Sequence, residues 1–286
     1  MVRNFAVARV LALLACIIVF IAGCTGDDSS DSGDSTASDA PSASESTSTT
    51  APPPPPPPKP NRCYNLAKAD VSSASNDAAP VSCKAVHTAQ TYLVGTLPKK
   101  LTGDGPVDSK AIADTVTQRC DKAFPEHVGG DDETRTLARV HPVWFVPTED
   151  EMGLGARWFR CDVTAVKAGG AAAKLPQKSK GMLAADDALD RWGTCAPADA
   201  SHPETEATLC SHDHGIRAIS VVELGGDEEP WPGSESLESQ GSECEPAVRD
   251  YLDNSAGALS LRWTYPSKQQ WKDGRRYGLC WSDTGS

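Results

Sequence analysis

The sequence predicts an α+β protein of two tandem disulfide-stapled modules, each a small, mostly antiparallel sheet with one main helix. Three observations support this prediction: a spaced motif that occurs twice, cysteines that divide equally between two regions, and strand-like and helix-like segments that recur in the same order. Identities at fixed spacing in otherwise dissimilar segments indicate a duplicated unit. The motif residues are Trp144, Pro147, Gly155, Arg157 and Cys161 in one copy, and Trp263, Pro266, Gly274, Arg276 and Cys280 in the other.

Residues 1–23 read as a lipoprotein signal peptide. Arg3 and Arg9 precede an apolar run over residues 10–21, which is shorter than the roughly 20 residues that cross a bilayer. The run ends in IAGC, which resembles the lipobox of bacterial lipoproteins and implies cleavage before Cys24 and acylation of that cysteine, as with palmitate. An uncleaved N-terminal anchor is the alternative. Either way we expect a body on the extracytoplasmic face of the cell membrane and held to it, by the lipid anchor in the preferred interpretation.

Residues 24–60 read as the lipid anchor followed by a disordered, acidic and proline-rich tether. They hold Asp, Ser, Thr and Ala and then an unbroken proline run from Pro52 to Pro58, without apolar periodicity. Such a segment buries too little surface to offset the entropy of ordering, and its prolines favour polyproline II. At roughly 3 Å per residue, the tether reaches up to about 100 Å from the membrane.

The remaining residues are enough for two domains, which we place at 61–184 and 185–286. The formal net charge is -12 at pH 7. Nucleic acids and anionic lipid headgroups bind clusters of Lys and Arg. No such cluster is visible in the sequence, so we expect neither as a main partner.

Apart from Cys16 in the signal and Cys24 at the anchor, the cysteines fall four to a module. An even number in an exported protein favours disulfides. Four cysteines allow three connectivities, and we prefer first with second and third with fourth. In each module the second cysteine leads a strand-like run, and the third lies in a helix-like segment that must dock on a sheet. The preferred pairs are Cys63 with Cys83, Cys120 with Cys161, Cys195 with Cys210, and Cys244 with Cys280.

The periodicity predicts the same elements in both modules. Apolar residues at helical intervals predict helices over 109–124 and 243–252. Thr, Val, Tyr and Trp-rich runs that stop at proline or glycine predict strands over 89–97, 138–146 and 157–166, and over 216–224, 258–265 and 276–281. A turn with the motif glycine separates the last two strands, and residues 169–181 read as a linker short of core residues.

Each module has the same order of features: a Cys, then Cys-x3-His, then a helix with a Cys, then Pro-x7-Gly-x-Arg-x3-Cys. This pattern resembles the septum formation-related domain of actinobacterial membrane proteins and lipoproteins, here in two tandem copies. The matching histidines are His87 and His214, each four residues after a cysteine. This resemblance covers nearly all of residues 61–286 and implies a place near the division septum. A carboxylate commonly follows the histidine by three residues in such domains, whereas Gln90 and Arg217 stand there in this chain.

Several polar and aromatic residues have both a structural and a functional interpretation. We expect no metal cofactor, and His212 with His214 is the weak candidate, because alternate residues of a strand share a face. The motif arginines either bind a ligand anion or pair with an acid such as Glu149 or Asp150. The large aromatic residues form either the cores or a carbohydrate-stacking platform. These aromatic residues are Trp144, Trp158, Trp263, Trp271 and Tyr277.

No catalytic motif of the common hydrolase, metalloprotease, redox, P-loop or dinucleotide classes occurs, so we predict that the protein is not an enzyme. We expect a non-catalytic binding or scaffold protein of the cell envelope, linked to septum formation, with envelope or division proteins as partners. The alternatives are a cell-wall glycan-binding or wall-active protein and a weak metal-binding lipoprotein. The glycan alternative predicts a cleft where Trp side chains and two acids converge.

Overall fold

The structure is a computed structural model that describes residues 52–102, 109–252 and 260–284. The signal, Cys24 and the tether as far as residue 51 lie outside the described residues. Among the helices of the described ranges, none has the length and apolar character needed to span a bilayer. The described residues form two antiparallel sheets with helices, which confirms the α+β class.

The first sheet has the strand order β1-β2-β4-β3, with every neighbouring pair antiparallel. Its half of the chain contains β1 (Cys63–Tyr64), β2 (Ala89–Thr96), α1 (Ser109–Val128), α2 (Asp132–Leu137), β3 (Val140–Phe145), α3 (Glu149–Gly153) and β4 (Trp158–Ala165). Helix α1 buries Ile112, Val116, Cys120 and Phe124, whose spacing of four residues places them on one helical face. This face packs on the sheet.

The second sheet has the order β6-β5-β7-β9-β8 and is also antiparallel throughout. Its half contains α4 (Ala188–Trp192), β5 (Thr194–Ala196), β6 (Thr208–Leu209), β7 (Ile216–Glu223), α5 (Ser234–Ser239), α6 (Glu245–Tyr251), β8 (Leu261–Thr264), α7 (Lys268–Lys272) and β9 (Tyr277–Asp283). Short 3-10 helices lie at Asp70–Ser72, Lys99–Leu101, Ala168–Gly170 and Gln240–Cys244, and the last of these leads directly into α6.

The predicted elements are present in the described residues, with small differences at their ends, and positions 258 and 259 of one predicted strand lie outside those residues. Helix α1 continues four residues past the expected Phe124, although Pro125 stands in its last turn, and it ends before Gly129, whose φ is 72°. The expected turn with the motif glycine is present, and a short helix, α3 or α7, precedes it. The central strands share one irregularity: the pairing register shifts at Tyr92 in β2 and at Ile219 in β7.

The four disulfides have the connectivity expected from the sequence. Cys63 pairs with Cys83, Cys120 with Cys161, Cys195 with Cys210, and Cys244 with Cys280. In each half, one bridge ties the first strand to the loop that leads into the long strand β2 or β7. The other bridge ties the helical layer to the last strand, and so fixes the helix on the sheet.

The segment between the two sheets differs from expectation, because it is packed rather than short of core residues. Leu175 and Ser179 are buried. The Gln90 side-chain oxygen accepts from the Ser179 amide at 2.7 Å and from its hydroxyl at 2.6 Å. Leu175 belongs to a core cluster that also holds Trp192 and Leu209 of the second half. The linker therefore fills a core that both halves share.

Direct hydrogen bonds also join the halves. The Glu133 carboxylate on α2 accepts from the Ser220 hydroxyl at 3.0 Å and from the Val221 amide at 3.2 Å, both on β7. Ala138 and Gly193 form an antiparallel bridge between the residues that lead into β3 and β5. The two sheets accordingly belong to one compact unit that begins at residue 52.

Candidate ligand-binding cleft

The repeated motif builds the same corner in both halves. Pro147 and Pro266 follow β3 and β8, where the lack of a backbone N–H suits the end of a strand. Thr148 and Ser267 then cap α3 and α7, and each takes part in a reciprocal capping box. The position of each proline is therefore explained by the end of the strand that it follows.

The motif glycines close the same corner. Gly155 has φ of 98° and Gly274 has φ of 96°. Both values lie where a Cβ atom is strained, so the corner requires glycine. The amides of Leu97 and Leu224 then donate to the carbonyls of Arg157 and Arg276, both at 2.7 Å, and begin the pairing of the last strand.

The motif arginines do not form the expected acid pair. Arg276 donates from Nε to the Gly226 carbonyl at 3.0 Å, from Nη2 to the Asp227 carbonyl at 2.9 Å, and from Nη1 to the Trp271 carbonyl. Its guanidinium also lies 4.4 Å from the centre of the Trp271 ring. Arg276 therefore fixes the loop after β7 to α7. Arg157 makes no ion pair with Glu149, Asp150 or any other acid in the part of the chain described.

The motif histidines make equivalent local hydrogen bonds. His87 Nδ1 donates to the Ala85 carbonyl at 3.0 Å, and His214 Nδ1 donates to the His212 carbonyl at 2.7 Å. Each bond shapes the turn that follows the second cysteine. His87 is buried, and its Nε2 has no hydrogen-bond partner among the described residues.

The metal candidates have little coordinating capacity. The Cys195 and Cys210 sulfurs and a His214 ring nitrogen lie within 4.8 Å of one another. The sulfurs are joined in a disulfide and offer no thiolate. The His212 side chain is exposed, and only its backbone carbonyl contacts His214.

Gln90 and Arg217 bind neighbouring segments of the chain. They occupy the positions where a carboxylate is common in the resembling domains. Besides its bonds to Ser179, Gln90 donates to the Cys63 sulfur at 3.4 Å. Arg217 pairs with Asp190 of α4 at 2.6 Å. Both residues are therefore explained by the packing between the sheets and the connecting segment.

The aromatic residues divide between core and surface. Trp144 and Trp271 are 5% and 2% exposed and belong to core clusters. Trp158, Trp263 and Tyr277 are half-buried. Of these, Trp263 lines an open cleft.

This cleft has a volume of about 510 Å3 and lies between β8 and the helical layer of the second sheet. It is lined by Glu238, Gly241, Ser242, Glu245, Leu261, Trp263 and Tyr265. Leu261 and Trp263 alternate on β8, and Tyr265 directly follows the last residue of that edge strand, so the spacing places the three side chains on one face. The Trp263 and Tyr265 ring centroids are 6.4 Å apart with planes tilted by 38°. The sequence analysis omitted Tyr265, although its spacing from Trp263 indicates the shared face.

Two glycines make room for the Trp263 ring. A Cβ atom on Gly278 would lie 2.0 Å from Trp263 Cη2, and one on Gly241 would lie 2.9 Å from Trp263 Cδ1. In the first sheet Phe159 holds the position of Gly278, two residues before the disulfide cysteine, and Trp144 is buried there. The indole of Trp263 is held in place by its Nε1–H, which donates to the Leu237 carbonyl at 2.9 Å.

The cleft combines stacking surface with hydrogen-bonding groups. Glu238 and Ser242 are exposed on the helical wall, and Glu245 is paired with Arg249 at 2.7 Å on the same wall. Aromatic rings stack on the apolar faces of sugars, while carboxylate and hydroxyl oxygens accept from sugar hydroxyls. The arrangement agrees in part with the cleft that the glycan alternative predicts: two acids line it, but with one Trp and one Tyr in place of several Trp side chains.

A second polar cluster lies in the core of the first sheet. Asp162 is 0% exposed and accepts from the Thr91 hydroxyl at 2.6 Å. Arg160 lies 3.2 Å from it and packs between the Tyr64 and Phe145 rings. Burial raises the pKa of Asp162 to about 6, although Arg160 and Thr91 oppose that rise. Burial likewise raises the pKa of the neighbouring Tyr92 hydroxyl. Sequence patterning missed this cluster because alternating Arg and Asp usually indicate a solvent-facing strand.

The comparisons with known proteins give one family. The family model described as septum formation matches residues 62–280, which covers both sheets in one run. No curated protein and no solved structure matches the chain.

Proposed function

Because this chain belongs to the septum formation family, we propose that it is a non-catalytic, lipid-anchored protein of the cell envelope that binds or scaffolds envelope or division proteins. The family match is the observation that supports this proposal. The lipobox-like sequence ending in Cys24 supports the anchor, and the proline-rich tether supports a body held away from the membrane.

We also propose that residues 61–184 and 185–286 are two copies of one module. The equivalent disulfides, the equal register shifts and the paired capping boxes support a duplication. Two related binding surfaces on one tether raise the effective concentration of the second once the first is bound.

A C-terminal fluorescent fusion of the full chain tests the location and role. The fluorophore must mature outside the cytoplasm, and cells are stained for new wall. The matched control carries the same fluorophore on residues 1–60 alone, so that it shares the signal, anchor and tether. We expect the full chain to be enriched at nascent septa and the control to label the envelope evenly.

Three results bear on the proposal. Even labelling by the full chain would contradict the septal role. Septal enrichment of both fusions would assign the location to the anchor rather than to the folded body. A Cys24→Ser variant that stays membrane-bound in a detergent-partition assay would contradict the lipid anchor.

The cleft beside Trp263 favours a second candidate function, binding of cell-wall glycan. Its ligand would be an uncharged or amine-bearing saccharide, because Glu238 and Glu245 repel anionic sugars. Trp263 and Tyr265 provide the stacking surface, and the carboxylates orient the hydroxyls. Clefts of this size accommodate a few sugar rings.

Titration with N-acetylglucosamine oligomers tests this candidate. We expect Tyr265→Ala and Glu238→Gln to weaken binding by about tenfold each, since each removes a direct contact. The matched controls are Tyr251→Ala and Glu235→Gln, which change an exposed tyrosine and an exposed α5 glutamate away from the cleft. Equal losses in the variants and their controls, or no saturable binding by the unmodified protein, would contradict glycan binding at this cleft.

A further inference from the structure

A second cavity, of about 320 Å3, lies where the connecting segment meets the second sheet. Its floor is apolar and is formed by the buried side chains of Ala173, Trp192 and Leu209. This cavity is separate from the Trp263 cleft and shares no lining residue with it.

The rim of this cavity is cationic. Lys167, Lys174 and Arg191 line it together with Ser211 and His212. No carboxylate is among the lining residues. Asp187 approaches Arg191 to 3.9 Å, but both side chains are more than half exposed, and such pairs contribute little. Three cations thus converge in a chain whose net charge is -12.

The backbone under the rim is well fixed. Lys167 donates its amide to the Ala171 carbonyl at 2.9 Å, and Ala173 donates to Ala165 of β4 at 2.8 Å. On the opposite side the Cys210 amide donates to the Gly193 carbonyl at 3.1 Å, and Cys210 is bonded to Cys195. These bonds fix the backbone positions from which the rim side chains extend.

We propose that this cavity binds a phosphate-bearing ligand. A phosphate group carries more negative charge than a single carboxylate and presents several acceptor oxygens, which matches three cations and two further polar groups around one opening. The Trp192 floor contacts the carbon portion of the same ligand. Both a phospholipid headgroup and a polyol phosphate outside the membrane supply this chemistry.

The test uses the full-length lipoprotein in phosphatidylcholine nanodiscs, titrated calorimetrically with glycerol 3-phosphate. The test variant is Lys167→Gln with Lys174→Gln. The matched control is Lys178→Gln with Lys180→Gln, which removes the same charge from exposed positions of the same segment outside the cavity. We expect saturable binding that weakens about tenfold or more in the test variant and changes less than about twofold in the control.

Nanodiscs that contain phosphatidylglycerol distinguish the two sources. If a lipid headgroup fills the cavity, the apparent affinity for glycerol 3-phosphate falls in these discs, and the test variant removes that competition. If the ligand is a soluble or polymeric polyol phosphate, the affinity is the same in both kinds of disc. Absence of saturable binding, or equal weakening by the two double variants, would overturn the proposal. Unchanged thermal unfolding of both variants verifies that a loss comes from the cavity.

Discussion

Asp162→Asn is expected to stabilise the protein at neutral pH, although it removes one partner of a buried ion pair. Arg160 and Asp162 approach to 3.2 Å, but these two atoms are not aligned as a hydrogen bond. Asparagine keeps an oxygen that accepts from Thr91. Arg160 keeps its contacts with two aromatic rings and its hydrogen bond to Asn76 at 3.2 Å. The substitution removes a desolvated negative charge together with its attraction to Arg160, and the raised pKa of Asp162 indicates that the desolvation outweighs that attraction.

The magnitude follows from the pKa of Asp162, which burial raises from an ordinary 3.8 to about 6. Below the ordinary pKa the acid is protonated in both states. As pH rises towards 6, the unfolded chain loses its proton first, so the free energy of unfolding falls. A difference of about two units corresponds to about 3 kcal/mol, which is lost between roughly pH 4 and pH 7.

Urea unfolding at a series of pH values, followed by tryptophan fluorescence, measures this effect. Near pH 4 the variant and the unmodified protein should have similar stability, because asparagine resembles the protonated acid. At pH 7 the variant should be more stable by about 3 kcal/mol. Asp199→Asn, at an exposed position, is the control and should show no such trend. A stability difference that is constant with pH, or that reverses, would refute the argument and mean that Arg160 holds Asp162 ionised.

The remaining predictions concern the second half. Replacing Cys244 and Cys280 together by Ala should lower the free energy of unfolding by about 4 kcal/mol, because a 36-residue loop is released; equal urea midpoints would contradict this. Arg276→Ala should lower the free energy of unfolding by about 2 to 3 kcal/mol, because it removes the hydrogen bonds to backbone carbonyls. The equivalent variant of the first half, Arg157→Ala, should lower it by less than about 1 kcal/mol, and calorimetry that finds equal losses would disprove the difference. Gly278→Ala should displace the Trp263 ring at a cost of about 1 to 3 kcal/mol, seen as a shift in tryptophan fluorescence, and an unshifted spectrum would show that the ring had not moved.

Local sequence patterns were sufficient for much of the scaffold. The helix over Ser109–Val128 follows from apolar residues at helical spacing, and the disulfide pairing follows from where each cysteine falls relative to a strand or helix. Glycine at positions 155 and 274 marked a corner, and both residues have positive φ. These features depend on residues close in sequence or on backbone geometry that few residue types adopt.

The cationic cavity was not predictable in the same way. The sequence has no visible Lys and Arg cluster, because the contributing residues lie between positions 167 and 212 and meet only when the connecting segment packs on the second sheet. The same segment is also held to the first sheet, where the side-chain oxygen of Gln90 on β2 accepts from Ser179. Neither contact has a local signature, so composition and spacing do not indicate it.

The two sheets differ in whether the motif tryptophan is buried, and three side chains around the motif cysteine account for this difference. On β4, Phe159, Arg160 and Asp162 surround Cys161; on β9, Gly278, Leu279 and Trp281 surround Cys280.

In the first sheet, Gly95 opposite Phe159 makes room for the Phe159 ring, because a Cβ atom there would lie 2.3 Å from it. In the second sheet the glycine is instead on the last strand, at Gly278, and the larger residue Val222 lies opposite it on β7. The Trp263 ring occupies the space above Gly278. The first sheet consequently buries Trp144 and an ion pair, whereas the second leaves Trp263 at the surface. Equivalent disulfides thus accompany a closed face in one half and an open cleft in the other, and we expect the proposed glycan binding, if it occurs, to require the second half alone.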